Sequence, residues 1–341
     1  MNSPIPETKQ DAVTRGLQEA FGVSQIDDIR AMTGGRSKAL VFRIVVQERP
    51  YLLRVIPDTD ANLGPGQGDQ THHFVCMKLA AEAGIGPKVW HTNAAEGISI
   101  TDFVESQPLP QIKALTLLPD ALRKLHALPP FPSPRVVNYL DAMDKMVRRL
   151  QAANILPKSV SAELFKLYGQ VISAYPRDGS DMVPCHNDMR PENILFDGTR
   201  PWLIDWEAAF LNDRYLDLAV VANFIVTNSA EEATYLHTYF GKAPSAYQRA
   251  RFYLMKQLLH LFYPAFLTLF SCKGKSMDSI TTAPDFRDFH NRLWACEIDL
   301  SDDQNKLDYA KVHLNQALHD GRTAQFQEAL RIVSHPELAA R

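Results

Sequence analysis

Cysteine is scarce in this 341-residue chain, and the four present (Cys76, Cys185, Cys272 and Cys296) lie far apart with no Cys-x-x-Cys pair. This argues against a zinc site or a disulfide framework and fits a reducing compartment. A basic excess is also missing: the net charge is −3, whereas a domain that holds nucleic acid usually carries a clear surplus of Lys and Arg. The N-terminus, Met1-Asn2-Ser3-Pro4-Ile5-Pro6-Glu7, lacks the basic and apolar regions of a signal peptide. The longest apolar run, Leu258 to Phe270, contains His260 and Pro264 and is too short to span a bilayer, so it reads as a buried helix. No internal repeat or long low-complexity tract is present. What remains is the composition of a globular protein, 45% hydrophobic and 22% charged. A cytoplasmic protein with neither nucleic acid nor membrane as partner is expected. Nothing in the sequence bears on oligomeric state.

The first hundred residues read as a small antiparallel sheet with a helix. After a helix and connector over residues 8 to 30, Gly34-Gly35-Arg36-Ser37-Lys38 separates Ile29–Met32 from the strand-like run Ala39–Val46. Tyr51–Ile56 is a third β run, and residues 58 to 70 form a Gly- and Asp-rich loop. His72–Ala83 reads as a helix stopped by Gly84 and Pro87. Val89–Trp90 and Ile98–Thr101 are two further strands. Beyond Asp102-Phe103-Val104-Glu105 the pattern becomes helical: Pro119–Leu128 and most of 138 to 175 read as helix, and from Leu216 onward helices dominate, with a last helix over 310 to 333. The expected architecture is α+β and bilobal, with an N-terminal lobe over 1–104 and a larger, mainly helical lobe over 105–341.

The strongest motif is Cys185-His186-Asn187-Asp188-Met189-Arg190-Pro191-Glu192-Asn193, followed by Ile204-Asp205-Trp206-Glu207. Between the two, Ile194–Gly198 and Trp202–Ile204 read as strand, tight turn and strand. This spacing matches phosphoryl-transfer machinery, in which the first Asp accepts the proton of the substrate hydroxyl and the Asn and second Asp hold magnesium. Asp188 is then the catalytic base, and Asn193 and Asp205 offer the hard oxygen ligands that Mg²⁺ prefers. One such Asp alone would more readily be a turn cap. Four matched positions around a strand-turn-strand favour the catalytic reading. His186 reads as structural, tying the catalytic turn to the second Asp. Asp217 opens an apolar helix, where it is either an N-cap or an anchor for the loop. Arg54, late in the third strand, is placed to clamp nucleotide phosphates with a charge it never loses. Ser37 in the glycine turn is a candidate phosphate contact. Glu207 reads as a residue reaching the substrate or the magnesium shell, against a surface salt bridge.

Together these residues resemble the aminoglycoside phosphotransferase and choline/ethanolamine kinase superfamily, roughly over residues 25 to 270. Leu122-Arg123-Lys124-Leu125-His126-Ala127-Leu128 and Gly84-Ile85-Gly86-Pro87-Lys88-Val89 add to the likeness. The choline/ethanolamine branch is the nearer one. Asn187 stands where aminoglycoside kinases commonly have Gly, Arg54 where other kinases have Lys, and Glu207 has that branch's spacing from the metal Asp. The resemblance implies a protein-kinase-like fold, ATP and Mg²⁺ as cofactors, and an adenine edge meeting the backbone of Asp102 to Val104. The partner it implies is a small-molecule hydroxyl substrate bearing an amine, with choline or ethanolamine foremost and an aminoglycoside or other amino-alcohol or sugar next.

Two positions depart from that pattern. The helix that offers a Glu to the strand cation reads Thr71-His72-His73-Phe74 here, with His73 at the Glu position. The clamp is then expected to be looser, or to draw on Glu82 or Asp69. Ser37-Lys38 also replaces a Thr-Asn type pair. The missing Glu motivates a second class, a catalytically silent nucleotide-binding protein. A metal hydrolase built on His186, Asp188 and Asp205 is a third, weakened by the want of a second histidine at a suitable spacing. A protein kinase is disfavoured by the absence of an Ala-Pro-Glu segment and of a Gly-x-Gly-x-x-Gly loop.

Overall fold

The structure, a computed structural model, describes residues 4–32, 39–57, 70–131, 139–271 and 283–337. The glycine turn with Ser37, and Asp69, lie outside them. In chain order the elements are α1 (Glu7–Phe21), β1 (Asp28–Ala31), β2 (Leu40–Val46), β3 (Arg49–Val55), α2 (Gln70–Glu82), β4 (Val89–Asn93) and β5 (Ile98–Asp102). The chain continues with α3 (Gln111–Leu125), α4 (Tyr139–Ala153), α5 (Lys158–Ala174), β6 (Met182–Cys185), β7 (Ile194–Phe196), β8 (Pro201–Leu203) and β9 (Phe210–Asp213). It ends with α6 (Arg214–Ile225), α7 (Ser229–Phe240), α8 (Ala246–Ser271), α9 (Phe286–Trp294), α10 (Asp303–Asp320) and α11 (Ala324–Ser334). Two compact units result. One comprises Met1–Leu109, Leu128–Pro134 and Asn193–Ala209, and the other Pro110–Ala127, Arg135–Glu192 and Phe210–Arg341.

The first unit is built on a five-stranded antiparallel sheet in the order β1-β2-β3-β5-β4. Alternation decides what each face carries. Phe42, Ile44 and Val46 of β2 and Tyr51, Leu53 and Val55 of β3 are buried, and they pack with Ala12, Val13 and Leu17 of α1 and with Ile98 and Ile100 of β5. Arg54, between the inward Leu53 and Val55, is thereby turned to the opposite face, in register with Val41 and Ser99. The β7–β8 hairpin belongs to this unit as well. Leu203 N–H donates to Ile85 O at 2.7 Å and Gln107 N–H to Phe196 O at 2.8 Å. Its turn closes on Asp197, whose Oδ1 accepts Thr199 and Arg200 N–H at 2.8 Å each, with Gly198 at φ 95°.

The second unit is mainly helical and centres on α8, against which α4, α5, α6, α10 and α11 pack. Leu258 to Phe270 is the C-terminal half of that helix, with Pro264 inside it. No helix among the described residues is long and apolar enough to cross a membrane. Two boundaries differ from those expected of the sequence, and one strand pair is added. The helix read from Pro119 begins at Gln111 and holds Pro119 in its interior. The stretch 310 to 333 is two helices rather than one, because α10 ends at Gly321 and Thr323 starts α11 by accepting Phe326 N–H at 3.2 Å. Residues 182–185 and 210–213 form an antiparallel pair, β6 with β9, and the loop that carries Asp188 leaves from the end of β6.

Three histidines meet inside this unit, His260 of α8, His290 of α9 and His313 of α10, at 1%, 0% and 0% exposure. His260 Nδ1 and His313 Nδ1 are 2.8 Å apart, and His290 Nδ1 donates to Phe286 O at 2.8 Å. Burial pushes all three imidazoles toward the neutral form, His290 down to about 3 and the other two well below the ordinary value. Their folded pKa values therefore lie under the unfolded one of about 6.5. Above that pH neither state is charged. As pH falls below it, the unfolded chain takes up protons that the folded one refuses, so stability is lost. Each histidine contributes a slope of at most about 1.4 kcal/mol per pH unit. Urea unfolding at pH 7, 6 and 5 is expected to show stability falling with pH, and His290→Leu to reduce that slope by about one proton; a slope unchanged in the variant contradicts this account.

Candidate active site

The loop that carries Asp188 leaves β6 at Cys185 and is shaped by a single buried carboxylate. Asp217, in the first turn of α6 and at 0% exposure, accepts the backbone N–H of His186 on Oδ2 at 2.7 Å and that of Asn187 on Oδ1 at 2.9 Å. His126 Nε2 lies 3.4 Å from Oδ2, and its Nδ1 is 2.7 Å from the hydroxyl of Tyr239. Burial disfavours the charge on Asp217, but the contacts to His126 and the N–H of His186 outweigh it and hold the carboxyl below the ordinary carboxylate range. Of the two roles expected for Asp217, the anchor is the one observed. The N-cap of α6 is Asp213, whose side chain accepts Tyr215 N–H at 2.9 Å, and which Arg251 grips through Nη2 at 2.7 Å.

Asn187 has φ 63°, the left-handed region that asparagine enters more readily than most residues. Its side chain braces that conformation. Nδ2 is 3.3 Å from both Cys185 O and Phe210 O, and Oδ1 accepts from Asn212 Nδ2 at 2.7 Å. Asp188 follows, its side chain one-third exposed and its Oδ1 accepting from Arg190 Nε at 2.9 Å. His186 is fully buried.

In the first unit, Asn193 ends the 3₁₀ turn Pro191–Asn193 and is buried. Ile204 N–H donates to Asn193 O at 3.0 Å, so the residue before Asp205 is tied back to Asn193. Asp205 is left-handed, at φ 65° and ψ 71°, a conformation whose cost for a residue with a side chain is usually kept where function needs it. The 3₁₀ turn Trp206–Ala208 comes next, anchored by Trp206 at 1% exposure, with the ring of Phe131 edge-on at 6.3 Å. An amide and a carboxylate brought close through the backbone are the oxygen donors that Mg²⁺ takes, so these residues fit the ion.

Glu207, on the same turn, pairs with Arg54 Nη2, and Arg54 Nη1 donates to His73 Nε2 at 2.8 Å. Glu207 thus offers Arg54 a carboxylate that the sequence reading did not assign to it, and His73 touches the guanidinium directly; of the two acids considered there, Asp69 lies outside the described residues. His72, its neighbour on α2, contacts Ala209 O just beyond the turn. At the end of β5, Asp102 donates its N–H to Lys88 O at 2.9 Å and accepts from Trp90 Nε1 at 2.7 Å; Val104 is half-buried.

The predicted residues therefore fall into two groups by unit. Arg54, Asp102, Val104, Asn193, Asp205 and Glu207 belong to the first, and His186, Asp188 and Asp217 to the second. Sequence reasoning gave His126 no role, and nothing within its own helix reveals one. His126, Cys185 and Asp217 bring their ligand-type atoms within 4.8 Å of one another. Burial raises the Cys185 thiol well above its ordinary value, so it keeps its proton, and both Asp217 oxygens already accept backbone N–H groups. That is a hydrogen-bonded anchor, and not the thiolate that a zinc site needs.

Residues 28–253 match the model of a phosphotransferase enzyme family, APH, a stretch that runs from β1 into α8 and holds every predicted site residue. Protein LicA of Haemophilus influenzae is 33% identical over 78 residues, covering 23% of this chain and 29% of that protein. The chain thus matches under a third of that relative's length. Among solved structures, a choline/ethanolamine kinase family protein of Mesorhizobium loti is similar at TM-score 0.65 and 21% identity, over 95% of this chain and 98% of that one. Choline kinase LicA from Streptococcus pneumoniae is similar at TM-score 0.56 and 16% identity, over 90% and 99%. Spectinomycin phosphotransferase APH(9)-Ia, in complex with ADP and spectinomycin, is similar at TM-score 0.53 and 15% identity, over 98% and 99%. At these identities the likeness establishes the fold, a kinase-like one with a β-rich N-terminal part and a helical C-terminal part.

Removing the anchor leaves two buried backbone N–H groups without their carboxylate. Asp217→Ala is expected to lower stability by about 3–5 kcal/mol, read from the midpoint of urea unfolding. A loss under about 1 kcal/mol is what an exposed polar residue gives and would contradict the anchoring role.

Proposed function

We propose that this chain, which belongs to the phosphotransferase enzyme family, transfers the γ-phosphoryl group of ATP to the hydroxyl of a small amine-bearing molecule, with choline or ethanolamine foremost. One observation carries the reading: Asp188 at the head of a loop fixed by Asp217, with Asn193 following at the phosphotransfer spacing and tied through its carbonyl to the strained Asp205 segment. The similarity to choline/ethanolamine kinase structures supports the acceptor class.

In this mechanism the acceptor oxygen attacks the γ-phosphorus, the bond from that phosphorus to the oxygen of ADP breaks, and Asp188 takes the hydroxyl proton. Asp188 is exposed enough to meet an alcohol and is steered by Arg190. Arg54 presents a permanent cation for the phosphate oxygens, with its direction set by Glu207 and His73. Asn193 and Asp205 would hold Mg²⁺, which when bound neutralises phosphate charge and orients the transferred group. Because the N–H of Asp102 is given to Lys88 O, an adenine edge would be read by the carbonyl of Asp102 and the N–H of Val104. The two buried cysteines of the described residues, Cys76 and Cys185, are unpaired and fit a reducing, cytoplasmic setting.

The test is ADP release by the purified protein with ATP, Mg²⁺ and a panel of choline, ethanolamine and aminoglycosides. Turnover with an amino alcohol is the expected result. Turnover confined to aminoglycosides moves the acceptor class, and ATP consumption with no acceptor overturns the transferase reading. Asp188→Ala is expected to lower kcat about 10²–10⁴-fold, the usual worth of a general base, while ATP binding measured by calorimetry stays within about threefold. Undiminished turnover in that variant removes Asp188 from the base role. Asp205→Ala is expected to abolish the Mg²⁺-dependent part of nucleotide binding, measured with and without the metal.

A further inference from the structure

We propose that Arg251 is a positioning residue for the loop that carries Asp188, acting from α8 by holding strands β6 and β9 in register. Only its consequence for transfer rests on the phosphotransfer reading above; the positioning itself can be measured without turnover.

The anchor of that loop has two halves, carried by different strands. Its donors, the N–H groups of His186 and Asn187, follow directly from the end of β6. Its acceptor, Asp217, follows from β9 through the first turn of α6. The bonds of 2.7 and 2.9 Å therefore form only while the two strands keep their register, Met182 opposite Asp213 and Cys185 opposite Phe210. A ladder this short is a weak hold on register, and Pro184 within it has no N–H to give. At the loop end the two sides are tied by Asn187, whose Oδ1 accepts from Asn212 of β9. At the far end the tie is Arg251.

The side chain of Arg251 is 2% exposed; Nη1 lies 3.2 Å from Asp181 Oδ2, and Nη2 donates to Asp213 Oδ2 at 2.7 Å. Asp181 immediately precedes β6 and Asp213 is the last residue of β9, so one guanidinium joins both strands. The rings of Tyr175 and Tyr215 lie 4.6 and 5.1 Å from its central carbon, within reach of cation–π attraction. Tyr175 also donates its hydroxyl to Asp213 Oδ2 at 3.0 Å, and the other oxygen of Asp213 caps α6. A buried ion pair is often matched in stability by apolar side chains, and its best-attested use is in fixing register. The planar fork holds two carboxylates at one spacing, whereas lysine offers a single nitrogen on a flexible stem.

Hydrogen–deuterium exchange of the full-length protein, read at the amides of His186 and Asn187, tests this in Arg251→Lys. Both amides are expected to exchange about tenfold faster, the worth of a hydrogen bond to a charged group, while the amides of α10 exchange as in the parent. With ATP, Mg²⁺ and the alcohol acceptor, kcat should fall by about the same factor, and both KM values should stay within about threefold. Asp181→Asn, which weakens one arm of the fork, should move the same two amides by a smaller factor. Unchanged exchange at these amides, an equal rise across α10, or an undiminished kcat shows a contact that serves stability alone and overturns the proposal. Should Arg251→Lys fail to fold, Asp181→Asn decides it on the same two amides. A parent protein that transfers no phosphoryl group overturns the phosphotransfer reading instead, and exchange at His186 and Asn187 still decides the positioning.

Discussion

The carboxylate of Asp217 accepts the backbone N–H groups of two consecutive residues, His186 and Asn187, from a position with no contact to solvent. A buried charge is costly unless its lone pairs are met. Here the two N–H groups and the imidazole of His126 meet them, at roughly 1.5–3 kcal/mol for each bond to a charged partner. Two adjacent N–H groups pointing at one carboxylate fix the peptide plane between them. The chain therefore enters Asn187 with little choice of direction, and Asp188 inherits its orientation. The anchor is itself secured at one remove, because α6 begins at Asp213, and Asp213 is held by the buried Arg251 of α8. The helical core and the loop that carries Asp188 are thus parts of one hydrogen-bonded system.

In the β-rich unit the comparable constraint is the turn after β8. Asp205 is left-handed, which costs about 1–3 kcal/mol for a residue of its type. The Ile204–Asn193 backbone bond on one side and the buried indole of Trp206 on the other over-determine it. Burying a large aromatic side chain is worth about as much as the strain or more. The same turn delivers Glu207 to Arg54, so the segment that shapes the metal-type ligand also neutralises the phosphate-type cation. Strand alternation makes this economical. Leu53 and Val55 must face α1, and Arg54 between them must face away.

Much of this was legible in the sequence because the chemistry demands fixed local spacings. Asp188, Asn193 and Asp205 sit on one loop and one tight hairpin, whose lengths tolerate little change, and β2 and β3 declare themselves by period-2 burial. The partners of Arg54 were not legible. They lie 19 and 153 positions away in the chain, and no periodicity links them. Choosing between Asp213 and Asp217 as the cap required knowing where β9 stops, since both are acids near the same helix start. The break between α10 and α11 turns on Gly321 and Thr323, and the helical periodicity on either side conceals it.

Asn187 and Glu207 are two of the three positions, with Arg54, by which the chain resembles the choline/ethanolamine branch, and the structure gives each a definite physical task. Glycine and asparagine share the ability to adopt the left-handed backbone that precedes Asp188. Only asparagine also has an amide to reach Phe210 O and Asn212. Replacing one by the other therefore keeps the direction of the loop and changes how firmly it is braced against β9. Glu207 sets the charge and aim of Arg54. Both residues thus act on how Asp188 and Arg54 are presented. Tyr263 of α8 lies close enough to Asp188 that the carboxylate charge adds to burial in raising its phenol well above the ordinary value, so the hydroxyl keeps its proton. The helical unit therefore places a neutral hydrogen-bonding group near Asp188 that the motif around it does not announce.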